Sequence, residues 1–171
     1  MYSGMSFRRR MILALISLAI VVAAALIYSR PAAAPEVNLP TLAGGNLTIS
    51  ALRGKVVLVN FWATSCAVCV REMPMLVATH HKFAARGYAT VAVAMSYDHP
   101  NIVAEYARKN ALPFHVALDV AGDIARQFGD VRLTPTSFVI DRHGRILKHY
   151  LGEPARAELQ SLVEKALADP V

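Results

Sequence analysis

Residues 56–69 read VVLVNFWATSCAVC, an apolar run that ends in two cysteines three positions apart. Val56 to Ala63 is β-branched and aromatic, with Asn60 its one polar member. That composition predicts a central strand buried on both faces. A helix is predicted to start near Cys66 and run to about Arg86, with Gly87 as its C′ stop. Pro74 lies inside it and is expected to kink it. A cysteine at a helix start meets unpaired N–H groups and the positive end of the helix dipole. Both stabilise the thiolate, the nucleophile of disulfide exchange. Cys66 is therefore the expected attacking thiol, and Cys69, one turn further in, the resolving thiol. Three other readings compete. A structural disulfide closing so short a loop restrains the unfolded chain very little. A zinc site needs four ligands, and no second Cys/His pair with finger spacing occurs. Two inert, buried thiols are the third.

Working outward, Tyr88–Ser96 (YATVAVAMS) reads as a second buried strand. Asn101–Asn110 reads as a helix ended by Pro113, and Phe114–Leu118 as a short strand. Gly122–Phe128 is a helical turn closed by Gly129. Ser137–Asp141 and Ile146–Tyr150 are strands joined through His143-Gly144. Ala155–Leu167 is an amphipathic helix with Leu159, Leu162, Val163, Ala166 and Leu167 on one face. Toward the N-terminus, TLAGGNLTIS at 41–50 is a hairpin signal around Gly44-Gly45. PAAAPEVNLP at 31–40 reads as an extended linker. This order predicts an α/β domain over 41–171, a mixed sheet with helices on both faces.

Met11 to Tyr28, MILALISLAIVVAAALIY, carries no charge. A bilayer core needs about 20 apolar residues, with a range down to about 17. Arg8, Arg9 and Arg10 precede the run, and the positive-inside rule keeps them in the cytoplasm. Residues 1–30 are thus expected to form a cytoplasmic tip and a transmembrane signal-anchor helix. A cleaved signal peptide is the alternative, with Ala32-Ala33-Ala34 as its small-residue site. Both readings export the domain. The net charge is +6, yet four of the 18 basic residues and none of the 12 acids precede residue 31. The remainder is near charge balance, with no electrostatic footprint for nucleic acid. Only two cysteines occur. In an exported domain such a pair can persist as a disulfide.

FWATSCAVC at 61–69, Pro74 five residues after Cys69, and TPTSFVID at 134–141 together resemble the TlpA/ResA/CcmG branch of exported, membrane-tethered thioredoxin-like proteins. The resemblance covers roughly residues 37–168, including the leading hairpin and the helix–strand insertion near 101–118. It implies a thioredoxin-like fold and a redox-active disulfide Cys66–Cys69 as the only redox centre, with no further cofactor and no metal. It makes Pro135 a cis proline facing the disulfide, and leaves the backbone of Thr134 free to pair with a substrate chain. It makes Glu72 a proton acceptor near the cysteines, since a partly buried carboxylate has a raised pKa; a solvated surface glutamate is the alternative. Trp62 is expected to shield the disulfide and contact substrate, or else to be core. Two positions depart from the pattern: Ser65 and Val68 stand where many members carry Trp and Pro, so redox strength does not carry over. Asn60 stands where thioredoxins bear a buried Asp, which removes one proton relay and draws attention to Glu72. His80 and His81 are expected to complement the helix dipole.

The function expected is that of a periplasmic reductase. It would take electrons from an inner-membrane thiol donor of the DsbD/CcdA kind. It would pass them to exported proteins such as apocytochrome c or metalloprotein thiols. The chain is expected to act as a monomer, single-pass in the inner membrane, with the domain outside. The alternatives are a disulfide oxidant or isomerase of the same fold, and a Cu(I)-binding chaperone, whose soft metal two thiolates suit.

Overall fold

The computed structural model describes residues 7–28 and 31–169, except the side chains of residues 23–28. The chain divides into two units, one ending at Ala32 and one comprising Ala33–Val171. In the first, helix α1 spans Phe7–Tyr28. Its side chains from Phe7 to Val22 are exposed. Among the described residues no helix is long and apolar enough to cross a membrane.

The second unit is a thioredoxin-like α/β domain. Its elements in chain order are β1 (Asn38–Pro40), β2 (Asn46–Thr48), β3 (Val56–Trp62), α2 (Ala67–Phe83), β4 (Tyr88–Ala94) and α3 (Pro100–Lys109). They continue as β5 (His115–Leu118), α4 (Asp123–Gln127), β6 (Thr136–Ile140), β7 (Ile146–Leu151) and α5 (Arg156–Ala168). The main sheet runs β5-β4-β3-β6-β7. β3, β4 and β5 are parallel, while β6 is antiparallel to β3 and β7 to β6. β3, at the centre, is buried at every position.

Strand side chains alternate between faces, and the core divides accordingly. Val56, Leu58 and Trp62 pack with Met73, Leu76 and Phe83 of α2, Val103 of α3, and Leu159 and Val163 of α5. Val57, Val59 and Phe61 pack with Ile124 and Ala125 of α4 and with Val37, Leu39, Ile49 and Leu52. Helices cover both faces as expected, but one face has three of them. The other relies on the five-residue α4 and the β1–β2 hairpin.

The expectation that 31–40 is only an extended linker is corrected. Val37 and Leu39 are buried, β1 already pairs with β2, and Ala34 N–H donates to the Gly144 carbonyl at 2.9 Å. The stretch is rich in Pro and Ala, but its two large apolar residues close one face of the sheet. Helix α2 continues through Pro74 to Phe83 and tightens into a short 3₁₀ turn, Ala84–Arg86. Gly87, at φ 93°, then reverses the chain into β4, a conformation that suits a residue without Cβ.

Candidate active site

β3 ends at Trp62, and four residues later the chain enters α2. Cys66 is the N-cap of that helix, with extended backbone, and its Sγ accepts a hydrogen bond from Cys69 N–H at 3.2 Å. No acidic residue occupies the first turn of α2, whereas His80, His81 and Lys82 lie in its last turn. Nothing in that first turn neutralises the helix's positive end, so it favours negative charge on Cys66. The two sulfurs form a disulfide, with Cα atoms 5.2 Å apart. The pair is asymmetric: Cys66 is half-buried, while Cys69 is fully buried.

Pro135 lies opposite, in the segment entering β6. The Thr134–Pro135 peptide is cis. The Thr134 carbonyl oxygen sits 3.6 Å from Cys66 Sγ. Among the described residues Thr134 makes no backbone–backbone hydrogen bond. Its side-chain hydroxyl lies 3.3 Å from the hydroxyl of the exposed Tyr97.

Glu72 follows Cys69 by three positions on α2, and residues so spaced neighbour each other on a helix. It is wholly buried. Asn60 Nδ2 donates to Glu72 Oε1 at 2.8 Å and to Ser137 Oγ at 2.9 Å. Burial pushes the Glu72 carboxyl up to about 7; the Asn60 hydrogen bond opposes that, the Glu153 charge adds to it, and Arg71 opposes it. Arg71 and Glu153 pair at 3.1 Å on the surface. The solvated-surface reading of Glu72 is thereby excluded, and Asn60 is a buried, hydrogen-bonded core amide.

Trp62 does not fit the contact role expected of it. It has no exposed surface. As the last residue of a doubly covered strand it points beneath α3, its ring 5.1 Å from that of Tyr106. It shares a core cluster with Cys69, so it backs the site from within and cannot touch substrate. His80 is likewise drawn inward; burial first, then His81 and His115, lower its pKa.

Two residues escaped sequence reasoning. Asp98 accepts from Thr64 N–H at 2.5 Å and from Thr64 Oγ1 at 2.7 Å, which braces the loop leading to Cys66. Ser137 completes the Asn60 contact. Parallel pairing of Trp62 with Ala94 brings the loops after β3 and β4 together, and antiparallel pairing sets Asn60 opposite Ser137. Register was the signal for both, and register is a property of the assembled sheet. Among the described residues no group of His, Cys, Asp and Glu is placed to hold a metal ion.

Comparison with known proteins agrees with this geometry. Residues 31–167 match the Redoxin family. The thiol-disulfide oxidoreductase ResA of Bacillus thuringiensis subsp. konkukian is 32% identical over 133 residues, 77% of this chain and 75% of that protein. The crystal structure of a thiol:disulfide interchange protein of the thioredoxin family from Chlorobium tepidum TLS superposes with a TM-score of 0.74. It is 30% identical, covering 82% of this chain and 99% of that one. StoA from Bacillus subtilis, at 23% identity and a TM-score of 0.65 over 77% of this chain and 98% of that one, shares the fold.

Proposed function

The chain belongs to the Redoxin family and is a thiol–disulfide oxidoreductase of the ResA type, and from that premise we propose that it works as a reductase of exported proteins, tethered to the outer side of the cytoplasmic membrane. One observation carries the chemistry: a half-exposed Cys66 beside the Thr134 carbonyl, with Cys69 buried beneath it. Only the outer sulfur can be reached by a second polypeptide.

In the reductive direction the Cys66 thiolate attacks a substrate disulfide. A mixed disulfide forms, and one substrate sulfur leaves as thiolate and is protonated by solvent. Cys69 gives its proton to Glu72 and attacks Cys66 Sγ. The Cys66–Cys69 disulfide forms and the second substrate thiolate leaves. Two electrons have passed to the substrate. A membrane thiol donor of the DsbD/CcdA kind returns them by the reverse exchange. Thr134 would pair with the substrate backbone, and Pro135 shapes the surface beside the sulfurs. The resemblance to the TlpA/ResA/CcmG branch supports apocytochrome c or another exported metalloprotein as substrate. The uncharged run Met11–Tyr28 behind three arginines supports the tether and the export.

Reduced protein is expected to cleave insulin or a model peptide disulfide. Cys66→Ser should abolish the reaction, and Cys69→Ala should trap a mixed disulfide. No exchange while both thiols remain titratable would end this reading. The reduction potential tests direction: related folds span about −270 to −120 mV, and a value at the oxidising end would overturn the reductase assignment.

A further inference from the structure

We propose that Asn60 and Ser137 are positioning residues that decide which oxygen of Glu72 exchanges a proton: Oε1 is held by the Asn60 amide, and Oε2 is the oxygen that carries the proton. This rests on the reading of Glu72 as the proton partner of Cys69.

Asn60 belongs to the same alternating set as Val56, Leu58 and Trp62, whose side chains meet α2. Ser137 is its partner across the antiparallel ladder. Three elements therefore converge on one amide: β3 supplies Asn60, α2 supplies Glu72, and β6, immediately after Pro135, supplies Ser137. The –NH₂ group of Asn60 has two N–H bonds, and both are used, one on Glu72 Oε1 and one on Ser137 Oγ. Asn60 and Ser137 are as completely buried as Glu72.

What is left over is as informative. Glu72 Oε2 and Asn60 Oδ1 are buried and have no hydrogen-bond partner. A carboxylate oxygen stranded without a donor in the core is costly as part of an anion, and protonating it removes the charge. Oε1 already accepts an N–H, so Oε2 is the oxygen to protonate. The amide orientation matters in the same sense. With Nδ2 toward Oε1, Asn60 favours the anion and tempers the upward pull of burial, which keeps the group titrating close to neutrality. With Oδ1 toward Oε1, two acceptors would face each other unless Glu72 were protonated. Ser137 Oγ engages the second N–H and ties the amide to the strand that follows Pro135. The charged and titratable groups near Glu72 are Arg71 and Glu153 and, one turn back on its own helix, the cysteines. None of them supplies a hydrogen bond to Oε2.

The test is the pH profile for resolution of the mixed disulfide, measured on full-length protein with a model peptide disulfide. Asn60→Ala is expected to move the Glu72-dependent midpoint upward by about one pH unit, the weight of one charge-assisted hydrogen bond. Asn60→Asp, which keeps the shape, should split the profile into two steps with the upper one raised further, because two adjacent carboxyls do not both ionise easily. Ser137→Ala should move it in the same direction by less. An infrared carboxylic-acid band in the oxidised protein, absent from Glu72→Gln, should titrate with a midpoint that follows the same shifts. Unchanged midpoints in Asn60→Asp and Ser137→Ala, with the step lost in Glu72→Gln, would overturn the positioning role alone. A step that survives Glu72→Gln overturns the reading of Glu72 itself, and this proposal with it.

Discussion

Glu72 and Asp141 are both buried carboxyls, and they sit at opposite ends of the scaffold's logic. Asp141 follows β6, away from Pro135, where the chain turns into β7. Burial pushes its carboxyl up, but the Arg145 N–H, the Arg145 guanidinium and the His143 N–H more than offset that and hold it below the usual range. Those donors lie at 2.8, 2.7 and 2.9 Å. Glu72 has one neutral amide on one oxygen and nothing on the other, and it titrates near 7. Burial is common to both. The number of donors decides whether a buried carboxyl is a fixed anion that ties a turn together or a proton carrier beside a reactive pair.

The largest expected effect breaks the Glu72 side of this contrast. In the unfolded chain Glu72 releases its proton near 4.5, and in the oxidised protein near 7. Between those values the unfolded chain is ionised and the folded one is not. Stability therefore falls as pH rises through that window, by about 1.36 kcal/mol per unit and about 3 kcal/mol in all. Glu72→Gln should abolish that fall, as measured by denaturant unfolding of the oxidised protein from pH 4 to 8. The same substitution should slow mixed-disulfide resolution by about 100-fold, the lower end for loss of a positioned base. A more stable and less active variant is the signature of a group kept for chemistry.

Asp141→Asn should behave in the opposite way. It leaves buried N–H groups facing an amide in place of a carboxylate, at a cost of about 2 kcal/mol at neutral pH. Its stabilisation is present above the ordinary aspartate range and is lost as pH falls through the lowered folded value, so the substitution should flatten only the acid side of the stability curve. Exchange rates of the folded protein should not change. A parallel loss of activity would mean that the two ends of the sheet are coupled.

The same contrast shows how far the residues alone could lead. The apolar run at 56–62 announced β3, and Cys66 and Cys69 at its exit announced the site, because strand burial and helix-start chemistry are local properties. The cis Pro135 and the buried Glu72 were legible through the resemblance to the TlpA/ResA/CcmG branch. Asn60 stood out as a polar residue in an apolar strand, but its partners did not. Contact with Ser137 is a matter of register between strands far apart in sequence, and the Asp98 brace on Thr64 depends on β4 lying parallel beside β3. Of the two readings of Trp62, core holds and substrate contact does not. A large aromatic beside a cysteine looks like a contact surface until a helix is laid over it. Val37 and Leu39 hid in a stretch whose Pro and Ala content suggested a tether.

The smallest expected effect concerns the surface pair above Glu72. Arg71 is well exposed and Glu153 partly so, at 65% and 34% of their side chains. Glu153 pushes the Glu72 carboxyl up and Arg71 pulls it down. Glu153→Gln should therefore lower the midpoint of the Glu72 step, and Arg71→Gln should raise it, each by about a few tenths of a pH unit because water screens exposed charges. Both shifts should fade in 1 M salt, where the Debye length is about 3 Å. The Asn60 and Ser137 shifts should persist there, since a buried hydrogen bond is not screened by ions that cannot reach it. If the Glu153 shift also survives high salt, the proton on Glu72 is governed by a charge field from outside. The contrast with Asp141 would then rest on neighbouring charge and not on the count of donors.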